Sequence, residues 1–245
     1  MLYPFILTTL AGLSTMLGTI PIFIKIKNEN KLIASACSFA SGVMLSVSIF
    51  DLIPESLKYI TSSFKIIIVI IFITLGIIIS FLIDKTVDTI NNNNNLFKVG
   101  ILSMIVIILH NIPEGIITFI VSNKNIFLGL SICISIAIHN IPEGISIAIP
   151  IYYSTKSKYK AILYTLLSSL SELFGAIITY QFLSKYINNY IIGIILSITA
   201  GIMIQISINK LFPTGNNYNK KQANIFFIIG FIFMIFSLLL NNLIS

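Results

Sequence analysis

The chain has 245 residues, of which 56% are hydrophobic and only 9% are charged, and its mean hydropathy is +1.00. A soluble globular domain carries about 25% charged residues, so this composition excludes a water-soluble fold. The basic residues are all lysines and give a net charge of +7, but they lie mainly in short loops and indicate no nucleic-acid partner.

Eight apolar segments follow one another along the chain, each long enough to cross a hydrocarbon core of ~30 Å as a helix. They cover residues 2–26, 33–57, 65–83, 97–121, 126–150, 159–183, 190–211 and 223–243. The polar joints between them are short, and we interpret the asparagine run at residues 91–95 as a compositionally biased linker. We therefore expect an all-α polytopic membrane protein that forms a single transmembrane domain over residues 1–245.

Lysine placement predicts the orientation of these spans. Of the 15 lysines, eleven fall in odd-numbered loops, and only Lys58, Lys65, Lys124 and Lys185 fall in even-numbered ones. Cytoplasmic loops carry the excess of basic residues near span ends, so the odd-numbered loops are expected in the cytoplasm. Both termini are then expected outside the cytoplasm, in a protein of the cell membrane.

Acidic residues inside the spans indicate a functional site. Glu114, Glu143 and Glu172 each fall about halfway through a span, where an ionised carboxylate costs several kcal/mol unless it is paired, protonated or metal-bound. No lysine lies at a comparable depth to pair with them. The other acidic residues are expected at the membrane interface or in solvated loops: Glu29, Asp51, Glu55, Asp84 and Asp88.

Both histidines of the chain belong to two copies of one hexapeptide, His-Asn-Ile-Pro-Glu-Gly, at residues 110–115 and 139–144. A His and a Glu at positions i and i+4 share one face of a helix, so each copy presents an imidazole and a carboxylate together, with the asparagine amide nearby. The proline frees a backbone carbonyl about one turn earlier, which predicts a broken helix that lines a cavity. Each copy is therefore typical of a ligand-binding site.

The two copies lie near the middle of consecutive, antiparallel spans, so we expect them to face each other near the membrane midplane. Together they offer two imidazoles, two carboxylates and two amides, and Glu172 adds a carboxylate if it points inward. This set of nitrogen and oxygen donors suits zinc, iron, manganese, cobalt or cadmium. Magnesium and calcium prefer sites made of oxygen alone.

The second and seventh spans resemble each other at a constant offset of 159 residues. Gly42, Met44, Ser48, Leu52 and Pro54 correspond to Gly201, Met203, Ser207, Leu211 and Pro213. These two spans run in opposite directions, and inverted repeats of this kind are typical of secondary transporters. The first and sixth spans match more weakly, and this match is explained by the small residues that recur in any helix-packing face.

The whole chain resembles the ZIP (Zrt/Irt-like) family of divalent metal transporters, and its bacterial-type branch in particular. The resemblance rests on the eight spans, the doubled hexapeptide, Ser171-Glu172-Leu173-Phe174-Gly175 in the sixth span and Leu211-Phe212-Pro213 in the seventh. It implies a protein that is not an enzyme and that moves a divalent transition metal, zinc above all, toward the cytoplasm. The metal is then a transported substrate and not a cofactor; membrane lipid is the expected surrounding, and a homodimer is left open.

The resemblance also implies a two-metal centre between the fourth and fifth helices. Glu114 and Glu143 would bridge the metals, and the remaining ligands would be His110, Asn111, His139, Asn140 and Glu172, with Met44 a weaker one. The chain departs from the family pattern at Leu173, where a proline is common, and at Asn209 and Lys210, where an acidic residue is common. These departures concern the release path and leave the central pair of motifs intact.

Two rival functions follow from the same residues. An intramembrane metalloenzyme would normally need His-Glu-x-x-His on one helix, and this chain has one histidine per helix. A proton or small-solute channel would use Glu114, Glu143 and Glu172 as a relay. Stoichiometric metal binding distinguishes the transporter from the channel.

Overall fold

The computed structural model describes residues 2–89, 94–183 and 188–244. In these ranges the chain forms eight helices long and apolar enough to span a membrane, and no strand. They are α1 Leu2–Phe23, α2 Glu29–Tyr59, α3 Lys65–Asp88, α4 Asn95–Lys124, α5 Ile126–Thr155, α6 Lys158–Phe182, α7 Asn189–Tyr218 and α8 Lys220–Leu240. The prediction of an all-α polytopic membrane protein is confirmed. Lys185 and the asparagines at 91–93 lie outside the described residues.

Polar residues at the joints start six of the helices. Each of six side chains accepts a hydrogen bond from a backbone N–H in the first turn of the helix that follows: Asn28, Asn94, Asn125, Ser157, Asn188 and Asn219. Such caps satisfy donors that have no partner inside the helix. They allow very short joints, and a single residue, Asn125, separates α4 from α5.

The helices α2 and α7 each contain one π-helical turn, at Ser48–Leu52 and Ser207–Leu211. Pro54 and Pro213 lie just after these turns and have no N–H to donate. In each helix the residue before the proline donates its N–H to the serine carbonyl five residues back, which accommodates the proline within a wider turn. The shared irregularity agrees with the offset from which the inverted repeat was predicted.

The helices α4 and α5 run without interruption through Pro113 and Pro142. The expectation that the hexapeptides form a central broken-helix pair is therefore wrong for the backbone. Each proline withholds one hydrogen bond from the carbonyl four residues earlier, at Leu109 and Ile138.

Glycines divide the eight helices into two sets of four. A Cβ added to Gly115 of α4 would clash with the carbonyl oxygen of Glu172 on α6, and one added to Gly201 of α7 would clash with that of Ile73 on α3. At 12 of the 13 glycines the nearest atom belongs to a helix of the same set, which is either α1, α4, α5 and α6 or α2, α3, α7 and α8; at Gly193 of α7 it belongs to Ile60, the residue that follows α2. Small residues permit such close approach between membrane helices. Backbones therefore come closest together within each set.

The alternating helices place the two ends of the chain on the same side of the bundle. We call this the terminal side, and it also carries the joints at residues 60–64 and 125. The opposite side carries the joints at 24–28, 156–157 and 219, and we call it the lysine-rich side. There Glu29 and Lys156 form an exposed ion pair of 2.8 Å, and its hydrogen bond raises the pKa of Lys156.

Candidate metal centre

The two hexapeptides meet inside the bundle. On α4, His110 Nε2 lies 3.0 Å from Glu114 Oε1, as expected for residues one turn apart. From α5, His139 Nε2 lies 2.8 Å from the same carboxylate oxygen. The ligand atoms of these three residues all lie within 4.8 Å of one another, and each side chain is buried. One carboxylate thus joins the two imidazoles.

Glu143 of α5 approaches the same nitrogen of His110 as Glu114 does. Its Oε1 is 3.3 Å from His110 Nε2, and the side chain is completely buried. Neither of its oxygens has a hydrogen-bond partner among the described residues, although both are buried. Nε2 of His110 therefore lies near a carboxylate of each hexapeptide.

Glu172 reaches this centre from α6 through Asn140. The Asn140 Nδ2 donates to Glu172 Oε1 over 2.5 Å and also to the carbonyl oxygen of Ala11 on α1 over 3.0 Å. Asn111, the equivalent residue on α4, is completely buried and neither of its amide atoms has a partner in the described part of the chain. The two copies of the motif therefore have different surroundings although their sequences are identical.

Met44 lies on α2, in the other set of helices. Its side chain is 1% exposed and belongs to the main hydrophobic cluster, together with Val106 and Ile107 of α4. Ile107 precedes His110 by about one turn. Met44 is therefore buried inside the bundle, and its role as a ligand stays a prediction.

Backbone contacts hold α1, α4, α5 and α6 around the centre. Gly115 follows Glu114 and faces the carbonyl oxygen of Glu172, and Gly144 follows Glu143 and faces that of Thr15. The glycine of each hexapeptide therefore allows the adjacent glutamate to lie at a crossing of helices. In each hexapeptide, a glutamate that can bind metal is followed directly by a glycine that permits close packing of a neighbouring helix.

The centre contains many buried polar atoms that have no hydrogen-bond partner among the described residues. Buried polar atoms are normally paired, so such a concentration needs an explanation. They are His110 Nδ1 and Nε2, Asn111 Nδ2 and Oδ1, Glu114 Oε2, His139 Nδ1, Asn140 Oδ1, Glu143 Oε1 and Oε2, and Glu172 Oε2. Imidazole nitrogens with carboxylate and amide oxygens are the donors that zinc and its first-row neighbours accept. The arrangement can bind a divalent transition metal.

A cavity of about 400 Å³ opens from the centre toward the terminal side. Glu114 and His139 line it from α4 and α5, and Asp51, Glu55 and Tyr59 line it from α2. The sequence placed Asp51 at the membrane interface, whereas the structure places it in a cavity that it shares with the metal centre. The described residues that line this cavity include no lysine.

A second cavity, of about 280 Å³, opens on the lysine-rich side. Asp84 of α3 and Lys210 of α7 line it and form an ion pair of 2.6 Å. Asp84 is 8% exposed, so the expectation of a solvated carboxylate is wrong at this position. The unexpected lysine at 210 has a buried acidic partner on the neighbouring helix.

Comparisons with known proteins agree on one family. The profile of the ZIP zinc transporter family matches residues 92–238. The zinc transporter ZupT of Streptococcus mutans is 36% identical over 255 residues, which cover 96% of each chain. That of Clostridium perfringens is 36% identical over 98% of this chain and 96% of its own, and that of Campylobacter jejuni is 32% identical over 92% and 91%.

Proposed function

The chain belongs to the ZIP zinc transporter family and transports divalent metal ions across a membrane, and we propose that zinc passes through the centre formed by α4, α5 and α6. It is a transporter and not an enzyme, and zinc is its transported substrate. We further propose that residues 1–245 form one transmembrane domain and that transport runs toward the cytoplasm.

The observation that carries this proposal is the buried group of His110, Glu114 and His139, whose ligand atoms lie within 4.8 Å of one another. No lysine or arginine pairs with these side chains among the described residues. A buried carboxylate between two imidazoles is costly without a cation, and a divalent metal supplies the missing charge. Metal binding requires deprotonated ligands, so we expect affinity for zinc to fall as pH decreases.

Glu114 and Glu143 are proposed to be shared between two metal positions. Each carboxylate lies within 3.3 Å of His110 Nε2, and Glu114 also contacts His139. In the proposal Asn111, Asn140 and Glu172 complete the two positions, and Met44 contributes the weakest ligand. Glu172 already contacts Asn140, which supports its inclusion.

The orientation is proposed from the lysines. The lysine-rich side is the cytoplasmic side, because basic residues are retained there during insertion. The cavity that leads to Glu114 and His139 then opens to the outside, and both termini lie outside the cytoplasm.

Lipid is the proposed environment of the outer faces of α3 and α8. On α3 the side chains of Ile66, Ile67, Ile70 and Ile71 are each more than half exposed. Acyl chains or a second copy of the chain would cover this surface. The mass of the protein in lipid nanodiscs distinguishes a monomer from a homodimer.

The test is zinc uptake into proteoliposomes that contain an internal zinc indicator. The wild-type protein should take up zinc, and Glu143→Gln should reduce the rate at least tenfold, because it replaces a buried charged donor by a neutral amide. Glu29→Gln makes the same change at an exposed position and should retain the wild-type rate. Absence of zinc uptake by the folded wild-type protein would overturn the proposed function.

A further inference from the structure

Asp51 is a half-buried acidic residue that the metal centre does not include. It lies in the π-helical turn of α2, Ser48–Leu52, and lines the cavity of about 400 Å³ on the terminal side. Glu114 and His139 line the same cavity. An ion that reaches these two residues from the terminal side therefore passes the carboxylate of Asp51.

The carboxylate of Asp51 makes no hydrogen bond or ion pair within the part of the chain that the structure describes. Two other acidic side chains at comparable places do have partners: Glu55 lies 2.9 Å from Lys58, and Asp84 lies 2.6 Å from Lys210. An unpaired carboxylate in a partly closed cavity attracts cations, because field lines concentrate where the walls have a low dielectric constant.

A second observation points to a ligand in this cavity. The side chain of Glu114 is only 7% exposed and lines the cavity floor, and its Oε2 has no hydrogen-bond partner among the described residues. Glu114 Oε1 contacts both histidines, so Oε2 is the oxygen of this carboxylate that remains free to bind a cation. For a cation held by Asp51, the unpaired Oε2 of Glu114 would be the next ligand on the way to the metal centre.

The inverted repeat provides a comparison within the same chain. At the offset of 159 residues, Asp51 corresponds to Lys210, and both occupy the fourth position of a π-helical turn. Lys210 lines the cavity on the lysine-rich side, where Asp84 neutralises it. Equivalent positions thus carry an unpaired negative charge on one side and a paired positive charge on the other.

We propose that Asp51 is a metal-capturing residue: its carboxylate binds the incoming divalent cation in the terminal-side cavity before the ion reaches Glu114 and His139. This inference rests on the proposed function, because it assumes that zinc crosses through that centre. It assigns to the terminal-side cavity a capture step and to Asp51 the role of setting the apparent affinity for metal. Since no covalent step is involved, the residue acts by charge and by coordination alone.

The first test compares zinc uptake by Asp51→Asn, Asp51→Glu and the wild type in proteoliposomes. Loss of a focusing charge should raise the KM for zinc by about tenfold with little change in the maximal rate. Asp51→Glu retains the charge and should restore most of the affinity. Glu29→Gln is the control, because that carboxylate is exposed, is paired with Lys156 and lies on the lysine-rich side away from this cavity, and its KM should change less than threefold.

The second test measures binding directly and does not depend on transport. In a background that lacks Cys37 and Cys133, a cysteine introduced by Asp51→Cys should react with a thiol reagent, and zinc should slow that reaction at micromolar concentrations. An unchanged KM in Asp51→Asn together with no protection by zinc would overturn the inference. Failure of the wild type to transport zinc would instead overturn the proposed function, so the two failures are distinguishable.

Discussion

Replacing Gly12 of α1 by alanine should disturb the metal centre without changing any of its ligands. A Cβ at this position would lie 2.5 Å from the carbonyl oxygen of Ser169 and 3.1 Å from the Cβ of Glu172. Real Cβ atoms essentially never come within 3.0 Å of another heavy atom, so α1 and α6 must part by about 0.5 Å. Overpacking of this kind costs about 1–3 kcal/mol, and the better helix propensity of alanine offsets up to about 1 kcal/mol.

The separation of α1 from α6 matters because Asn140, a proposed metal ligand on α5, is hydrogen-bonded to both helices. Asn140 donates to the carbonyl oxygen of Ala11, next to Gly12, and to the carboxylate of Glu172. Metal–ligand distances tolerate deviations of only about 0.2 Å, so a shift of about 0.5 Å should remove Glu172 from its position. We expect zinc affinity at the position that uses Glu172 to fall at least tenfold, as for other changes in the surroundings of metal ligands.

Calorimetric zinc titration and thermal unfolding of the purified protein measure both effects. Gly100→Ala is the matched control on α4, because its Cβ would meet mainly the Ile151 side chain, 2.7 Å from Cδ1 and 2.8 Å from Cγ1, and would stay 3.2 Å from the nearest backbone atom, the Ile151 nitrogen. It should bind zinc as the wild type does. Wild-type zinc binding by Gly12→Ala, or an equal loss in Gly100→Ala, would refute the reasoning.

Three further predictions concern orientation, stoichiometry and the ion pair. After both native cysteines are replaced, a cysteine at Asn123 should react with an impermeant thiol reagent on intact cells and one at Lys27 should be protected; the reverse pattern would overturn the topology. Glu172→Ala should lower the zinc bound from about two to about one ion per chain, and an unchanged value would exclude it as a ligand. Lys210→Met should cost about 1–3 kcal/mol of stability in a detergent thermal-unfolding assay, because it leaves the carboxylate of Asp84 buried without its partner. The double variant with Asp84→Asn should recover much of that loss, whereas strictly additive effects would show that the pair is not coupled.

The sequence predicted the spans and the location of the paired motifs well. Each apolar segment corresponds to one helix, because hydropathy and length are local properties that a bilayer selects strongly. The spacing of His110 and Glu114 on one helix face was also predictable, since it follows from helical periodicity. The meeting of His139 with Glu114 followed from the antiparallel order of consecutive spans.

Contacts between distant helices were not predictable in the same way. Periodicity gives the residues that share a face, but it does not give the helix that the face meets, so the pairing of Asp84 with Lys210 was missed. The position of Asp51 in the cavity was missed because depth along a span does not determine which direction a side chain points. The sequence did contain one relevant pattern. The offset of 159 residues relates Asp51 to Lys210, so the two residues occupy equivalent positions in the inverted repeat.

The short joints affect how this protein is made. The donors of the two hexapeptides lie on helices joined by one residue, Asn125, and α6 follows after only Lys156 and Ser157. The contacts among His110, Glu114, His139 and Glu143, and the one between Asn140 and Glu172, are therefore available once three consecutive helices have entered the membrane. Contacts of small sequence separation form fastest, because little chain entropy is lost in closing them. During synthesis the metal ligands can thus assemble as a helical hairpin and its neighbour while α7 and α8 are still being translated.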